Sequence, residues 1–388
     1  MANYVVSDTN LTAIADAIRS KGGTSGTLAF PTAFVTAINN IYSPSLQSKS
    51  ATPTESAQTI TPDTGYALNQ VDVAAIPQEY ITRYQAFEGA YSGVYSNSTL
   101  TVVPNGCFMN NSGLTSVAFA NATTIGLGAF WSCTGLTTTI FPEATTIEAY
   151  TFRYCHNLNS VSIPKVTEIN AYAFQFCSSL TRIDLPLCTK ILTYAFAGCK
   201  NLSIVSAPNL SLISGTSAFI NAGLSYIDFP ALTKISGSYT FTECSYVSYI
   251  SLPALTGMNG TGTFRSQIRL KTIYIPQMKS FPTVTFNCCY ALERARFDAL
   301  TTIASQMFSS CYHLLSLYVL GSTVGTLSSN AFTSTPIGGY TASTNGSYGT
   351  IYVRASLYST FITAAVWSLF ASRIASLTDT EIEELPLL

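Results

Sequence analysis

Hydrophobic and polar positions recur along the middle of the chain with a period of 22 residues. The segments 147–168, 169–190 and 191–212 align residue for residue, and each begins with an isoleucine. A phenylalanine marks the period at Phe108, Phe130, Phe152, Phe174, Phe196, Phe219, Phe241, Phe264, Phe286, Phe308 and Phe332. Self-similarity at this spacing predicts a solenoid of stacked repeats.

Within one repeat, apolar residues alternate with polar ones just before a proline. Counted from the phenylalanine, a leucine stands at position six, apolar residues at nine and eleven, and in most units a proline at twelve. Val161 and Ile163 are one such apolar pair. A spacing of two is typical of a strand with one buried face, and the proline ends that strand. Because one repeat cannot bury these side chains alone, neighbouring repeats must stack, and their strands form a parallel sheet.

The repeat reads L-x-x-I-x-[IL]-P-x-[LV]-x-x-I-x-x-x-A-F-x-x-C and resembles the BspA-like class of leucine-rich repeat over about ten units. The resemblance implies a right-handed leucine-rich-repeat solenoid with a parallel β-sheet and a short helical or irregular convex side. The unit after Phe219 departs from the pattern by a one-residue deletion, and Gln267 stands in a cysteine position. We assign the repeats to 102–333, an N-terminal cap of the solenoid to 79–101, and a loop with a C-terminal cap to 334–388.

The chain begins with two smaller predicted modules. Residues 1–45 read as a helical attachment module in which Leu11, Ile14 and Ile18 share one helix face. Residues 46–78 read as a small β linker unit. Both stretches resemble segments of tail-associated proteins of phages and prophages of Gram-positive bacteria. That resemblance implies contacts with other virion or tail proteins through residues 1–78.

Composition narrows the classes of partner. Charged residues make up 10% of the chain and the net charge is −1, so we expect no nucleic-acid binding. No apolar stretch is long enough to cross a bilayer, and we expect no membrane insertion. The first seven residues lack the basic start of a secretory signal, so we expect synthesis in the host cytoplasm without a signal peptide.

Seven of the ten cysteines occupy one repeat position, three residues after the phenylalanine. Residues at one repeat position stack along a solenoid, so the pattern predicts a buried ladder of free thiols. A metal ladder and stacked disulfides are alternatives, although CxxC pairs are absent. We expect no metal and no cofactor. Cys288, next to Cys289, has no explanation in the sequence.

Catalytic residues are not apparent, and we expect no enzymatic activity. His156 and His313 lie seven repeats apart, and the HExxH, GxSxG and phosphate-loop motifs are absent. Asp184 and Asp228 stand at equivalent strand positions two repeats apart. A glycosidase pair is possible on spacing alone, but a solvated face explains both residues.

The outward side of the predicted sheet is the candidate ligand-binding surface. Strand positions eight and ten carry small residues in the first repeats and tyrosine and arginine in the later ones. These two side chains are enriched at recognition hot spots, although tyrosines also favour strands for β-propensity alone. The candidate residues on this concave sheet face are Arg182, Tyr226, Tyr249, Tyr274, Arg294, Arg296 and Tyr318.

We interpret the chain as a non-catalytic phage virion protein of the tail tip or fibre, with a homo-oligomer as an open alternative to a monomer. Its solenoid would bind a glycan or protein of the host surface. The alternative is a bacterial cell-surface adhesin with leucine-rich repeats. A carbohydrate-active enzyme is a third reading, and it requires a close carboxylate pair.

Overall fold

The structure, a computed structural model, describes residues 58–60, 71–73 and 92–385. The chain divides into two units, Met1–Ala90 and Tyr91–Leu388. In the first unit, β1 (Gln58–Ile60) pairs antiparallel with β2 (Val71–Val73), within the segment for which the sequence predicts a small β unit. The predicted helices of residues 1–45 lie outside the described residues.

The second unit is a β-solenoid of short parallel strands, which confirms the predicted fold class. Each strand pairs with its counterpart one repeat further on, as Ile169 does with Ile191. The strands are β3 Gly93–Asn97, β4 Val102–Val103, β5 Leu114–Phe119, β6 Thr124–Ile125, β7 Thr138–Ile140, β8 Thr146–Ile147, β9 Ser160–Ser162, β10 Glu168–Ile169, β11 Arg182–Asp184, β12 Lys190–Leu192, β13 Ile204–Ser206, β14 Leu212–Ser214, β15 Ile227–Asp228, β16 Lys234–Ser236, β17 Tyr249–Ser251, β18 Gly257–Met258, β19 Thr272–Tyr274, β20 Arg294–Phe297, β21 Thr302–Ile303, β22 Ser316–Val319, β23 Thr326–Leu327, β24 Thr350–Arg354 and β25 Ile374–Leu377.

These strands form two rows. The first, called the face row, contains the strands predicted from the apolar alternation, in sheets β3-β5-β7-β9, β11-β13 and β15-β17-β19-β20-β22-β24-β25. The second row contains β4-β6-β8-β10-β12-β14-β16-β18 and β21-β23. It is built around the isoleucine that begins most repeats, where the resemblance to leucine-rich repeats implied a short helical or irregular side. Strands of two or three residues are too short to show a period of two.

The repeating phenylalanines form the centre of the core. Their rings stack in one continuous series from Phe108 to Phe332, with neighbouring centroids 5.1–6.0 Å apart. Each ring is at most 1% exposed. A missing ring would leave a cavity between two others, so we expect truncation at this position to be poorly tolerated.

The cysteine position is a ladder of buried free thiols, as predicted. Each Sγ donates to the carbonyl of the phenylalanine one repeat earlier, for example Cys155 to Phe130 at 3.0 Å and Cys177 to Phe152 at 3.1 Å. Gln267 replaces a cysteine without losing the contact, because its Nε2 donates to the Phe241 carbonyl. All ten cysteines are free, and only Cys288 is not buried.

Three repeats with an extra residue carry stacked glycines at Gly215, Gly237 and Gly260. A Cβ on Gly237 would overlap the backbone carbonyl of Gly215, and a Cβ on Gly260 would overlap that of Gly237. We expect Gly237→Ala to lower the free energy of unfolding by about 1–3 kcal/mol, because two turns must move apart. Urea denaturation of the parent and the Gly237→Ala variant measures this difference. Gly346→Ala would not serve as a control, because Gly346 has a positive φ that alanine disfavours. Gly257→Ala, where a Cβ makes only ordinary contacts, is the control.

The C-terminal segment continues and closes the solenoid. Strand β24 pairs with β22 and with β25, and the connection between β24 and β25 contains α1 (Tyr358–Thr363) and two short 3-10 helices, Ala355–Leu357 and Trp367–Arg373. A third 3-10 helix, Ala342–Thr344, lies in the preceding loop, and α2 (Asp379–Glu383) follows β25. Trp367 is 1% exposed and its Nε1 donates to the Gly325 carbonyl at 2.7 Å. This packing is consistent with the predicted role of residues 334–388 as a loop and C-terminal cap.

Candidate functional site

The outward side chains of the face row form two parallel columns. Because strand residues alternate sides, the residues before and after each buried central residue both point outward. In the first column Tyr226 and Tyr249 stack with ring centroids 5.3 Å apart, and Thr272 and Arg294 follow in register. Tyr249 is 40% exposed. Of the predicted residues of this column, Tyr226 and Tyr249 are therefore in contact, whereas Thr272 separates Tyr249 from Arg294. Arg182 lies on β11, where Ile204 is its neighbour on the next strand.

The second column is a ladder of aromatic rings interrupted by one guanidinium. Strand pairing places Tyr274, Arg296, Tyr318 and Tyr352 on successive strands. The Arg296 Cζ lies 5.4 Å from the Tyr274 ring centroid, and the Tyr318 and Tyr352 rings stack at 4.8 Å. Sequence reasoning missed Tyr352, because the loop between the last repeat and β24 interrupts the period. The apolar residues Ile351 and Val353 on either side of it, spaced by two, were the available signal.

Arg296 differs from the other candidate residues because it is buried. It is 8% exposed, its Nε donates to Asp298 Oδ1 at 2.9 Å, and its Nη1 lies 3.4 Å from the carbonyl of Leu385 in the C-terminal segment. Tyr274 Oη donates to the other Asp298 oxygen at 3.2 Å. Arg296 therefore supports the second column and connects the C-terminal segment to that column. From the sequence we expect Arg296 to be open to a ligand, and the structure instead buries it.

Charge on the open part of the face comes from one exposed ion pair and two isolated side chains. Arg182 and Asp184 pair within β11, with Nη2 and Oδ1 2.7 Å apart. Asp228 and Arg294 are exposed, as is Asp184. Asp184 and Asp228 thus occupy a solvated face, as expected, and Asp184 has its own cationic partner.

The hydroxyls of Tyr249 and Tyr274 remain protonated at neutral pH. Partial burial and, next, the Asp228 carboxylate raise the pKa of Tyr249. Partial burial and then Asp298 raise the pKa of Tyr274. Protonated phenols can both donate and accept hydrogen bonds. The face therefore offers flat apolar rings, neutral hydroxyls and a few charges to a ligand.

The two histidines serve as backbone contacts in separate turns. His156 Nδ1 lies 3.0 Å from the Phe176 carbonyl, and His313 Nδ1 lies 2.7 Å from the Tyr290 carbonyl. In the described ranges, no three side chains of His, Cys, Asp or Glu come together to hold a metal ion. The helices of the same residues are all too short or too polar to cross a membrane.

The two rows of strands, the stacked phenylalanines and the outward columns define a leucine-rich-repeat solenoid. Residues 79–203, 167–293 and 212–338 match the family described as "BspA type Leucine rich repeat region (6 copies)". Together these overlapping matches cover well over half of the chain. The chain therefore belongs to the BspA-type leucine-rich-repeat family.

Several solved structures are similar to this chain. A leucine rich cell surface protein from Faecalibacterium prausnitzii has 18% identity, with 74% of this chain and 93% of that chain covered and a TM-score of 0.37. A leucine-rich-repeat protein of T. pallidum has 26% identity, with 38% of this chain and 72% of that chain covered and a TM-score of 0.34. One from Eubacterium ventriosum has 18% identity, coverages of 63% and 89%, and a TM-score of 0.34. No curated protein matches the chain significantly. The family assignment rests on the repeats themselves.

Proposed function

We propose that this chain is a non-catalytic recognition protein that acts as a cell-surface adhesin and binds its ligand through the face row. The observation that carries the proposal is that the two outward columns, taken together, place an aromatic or arginine side chain at every successive strand from β15 to β24. In β5, β7 and β9 the same positions carry Ser, Thr, Ala and Ile. The recognition surface is therefore confined to the C-terminal part of the solenoid.

The chemistry of the columns suits a glycan or a protein surface. Tyrosine gives a large contact area with little loss of conformational entropy, and its hydroxyl adds directional hydrogen bonds. Tyr249 lies on β17 and Tyr226 directly precedes β15, and the pairing of these two strands fixes the backbone beneath the stacked rings. A rigid surface loses little freedom on binding, which favours affinity. Few charges on this face make binding depend on fit rather than on long-range attraction.

A second candidate function is that of a phage tail component. The observation that favours it is the resemblance of the N-terminal 78 residues to segments of tail-associated proteins. On that reading the face row would still bind a surface ligand, and the N-terminal modules would attach the chain to a particle. The adhesin is preferred because it needs only the solenoid that the family match covers.

The face assignment is tested by replacing Tyr226, Tyr249 and Tyr274 together with alanine. We expect binding to an array of printed glycans and extracellular-matrix proteins to fall at least about a hundredfold, because each tyrosine is worth about 1 kcal/mol or more at a binding hot spot. The circular dichroism spectrum should not change, since the three side chains point outward. Ser116, Thr138 and Ser160, the first-column residues of earlier strands, are replaced by alanine as a matched control. Equal binding by the triple tyrosine variant and the parent would contradict the assignment.

The setting of the protein is tested separately in the source culture. Cell envelopes and purified phage particles are prepared from the same lysate, and peptides of the chain are quantified in each by mass spectrometry. Enrichment in envelopes supports the adhesin. Copurification with phage particles would instead support the tail component and contradict the adhesin. Neither outcome changes the assignment of the ligand-binding face.

A further inference from the structure

A second cluster of aromatic and charged side chains lies away from the face row, in the turns between the second-row strands and the cysteine ladder. Its rings stack on successive turns: Trp131 on Tyr150 at 5.5 Å, Tyr150 on Tyr172 at 4.8 Å, and Tyr172 on Tyr194 at 5.1 Å. The three tyrosines have φ between 52° and 61°. At the equivalent position, other repeats use Gly128 and Gly262, which adopt a positive φ without strain. Consecutive turns therefore place tyrosine where the backbone favours glycine.

Arg153 sits at the centre of this cluster. Its Cζ lies 4.7 Å from the Tyr154 ring centroid, 5.3 Å from that of Trp131, 5.4 Å from that of Tyr172 and 5.5 Å from that of Tyr150. Its Nη2 donates to Tyr154 Oη at 3.2 Å. The guanidinium is thus wedged between the ring stack and Tyr154. Aromatic rings hold a cation in place and leave its outer N–H groups available.

This guanidinium has no anionic partner among the described residues. Of the acidic residues in the neighbouring turns, Glu168 pairs with Lys190 at 3.0 Å, and Glu148 lies beyond ion-pair distance from Arg153. The Arg153 Nε is buried and has no hydrogen-bond partner. Gln175, at the equivalent position of the next turn, is 7% exposed, and its Oε1 also lacks a partner. A partly desolvated cation with unused hydrogen-bonding capacity is stabilised by an incoming anion.

We propose that this Arg153 cluster binds an acidic saccharide, a sugar ring that carries an oxyanion. The guanidinium takes the oxyanion through its outer nitrogens, since its planar fork fits both carboxylate and phosphate oxygens. The hydroxyls of Tyr150, Tyr154 and Tyr172 bond the sugar hydroxyls. Tyr194 ends the stack, because the next turn has Ser217 at this position, and its outer ring face is free of other rings to receive a sugar.

A saccharide fits this cluster better than a peptide does. Peptides commonly bind by adding a strand to an open sheet edge. Here the neighbouring strand β10 already pairs with β8 on one side and β12 on the other, so its backbone groups are used. Stacked rings with hydroxyls at their edges instead offer the mixture of apolar surface and polar groups that a sugar ring requires.

Trp131 provides the readout for the test. The chain has two tryptophans, and the other, Trp367, is 1% exposed within the C-terminal closing segment. A ligand at Arg153 should therefore change the emission of Trp131 alone. The full chain is titrated with trigalacturonate, with mannose 6-phosphate and with neutral galactotriose. We expect saturable binding of at least one acidic sugar and none of galactotriose, and the two acidic sugars distinguish a carboxylate from a phosphate ligand.

Variants then assign the binding to the cluster. Arg153→Gln should weaken binding about ten- to a hundredfold, because a charge-assisted hydrogen bond is lost. Tyr172→Phe, which keeps the ring and removes one hydroxyl, should weaken it about three- to tenfold. Arg269→Gln is the matched control, since Arg269 lies 5.0 Å from the single ring of Tyr246 elsewhere on the solenoid, and it should bind as the parent does. If Arg153→Gln does not fold, Arg153→Lys keeps the charge without the planar fork and should bind about three- to tenfold more weakly.

The proposal is overturned if galactotriose binds as well as the acidic sugars, if Arg153→Gln and Arg153→Lys both bind like the parent, or if neither acidic sugar binds up to about 10 mM. In the last case the cluster is a structural brace only. The result is independent of the face row, because the Tyr226, Tyr249 and Tyr274 triple variant should bind the acidic sugar like the parent.

Discussion

Raising the pH from about 8 to about 10 under reducing conditions should unfold the solenoid. Burial raises the pKa of the thiols of Cys133, Cys199 and Cys244 from 9.0 to about 12 and that of Cys188 to about 11. It also raises the pKa of Cys155, Cys177 and Cys311 well above the usual value. The unfolded chain releases these protons near pH 9, whereas the folded chain must keep them. The stability that buried neutral thiols provide is thus fully present below about pH 9 and is lost as the pH rises toward 12.

The size of this effect follows from the number of thiols that share it. Each raised thiol lowers the free energy of unfolding by about 1.4 kcal/mol at pH 10, so seven of them lower it by about 10 kcal/mol. That is of the order of the whole stability of a typical domain. Urea denaturation at pH 8, 9 and 10 measures the loss, and its slope against pH counts the protons released on unfolding, which we expect to be about two between pH 8 and 9 and about five between pH 9 and 10.

A cysteine-to-alanine variant identifies the groups responsible. Replacing Cys133, Cys199 and Cys244 with alanine removes three titrating thiols and should lower the slope between pH 9 and 10 from about five to about three protons. The variant is expected to be less stable than the parent at pH 8 and less sensitive to alkali above pH 9. An unchanged slope would assign the alkaline transition to other groups. Alkylation of the folded chain with iodoacetamide at pH 8 checks directly that the thiols are buried. Cys288 is half-buried and should react first, whereas the other nine cysteines are buried and should react slowly.

Most of the fold is predictable because each buried column repeats one residue type. Side chains that face the interior meet the same surroundings in every turn, so the same residue type recurs at each of these positions. This recurrence makes the Phe series, the cysteine ladder and the strands before the proline predictable. Gln267 shows how strict this is, since its departure from cysteine preserves the donor to the Phe241 carbonyl. A column is therefore predictable even where single residues change.

The repeat pattern does not predict contacts that occur at only one place in the solenoid. Tyr352 joins the second outward column only because β24 pairs with β22 after a loop of irregular sequence. Arg296 is covered because its Nη1 meets the backbone of Leu385, which lies 89 residues further along the chain. The Arg153 cluster combines three different repeat positions across three turns. Periodicity describes residues at one position, so it gives no signal for a site assembled from several.

Replacing a single ring in the centre of the Phe series should be the most damaging point substitution in the described solenoid core. Phe196 is fully buried, and its ring stacks on Phe174 at 5.3 Å and on Phe219 at 5.2 Å. Phe196→Ala removes both contacts and leaves a cavity that the strand-paired backbone cannot close, so we expect a loss of about 3–5 kcal/mol. In a repeat array each turn is stabilised by its neighbours, and a cavity at one turn weakens the coupling between the repeats on either side.

Urea denaturation followed by circular dichroism measures this loss. The coupling argument predicts more than a shift in midpoint: the Phe196→Ala transition should broaden or separate into two steps, since the repeats before and after the cavity can unfold independently. Tyr246→Ala removes a ring of similar size that is 54% exposed and contacts Arg269, and it should cost less than about 1 kcal/mol. If the two variants unfolded at the same urea concentration, burial of the Phe series would not be the main source of stability. A Phe196→Ala protein that loses stability in one sharp step would instead mean that the solenoid unfolds as a single cooperative unit, with the ring stack contributing packing but no boundary between repeats.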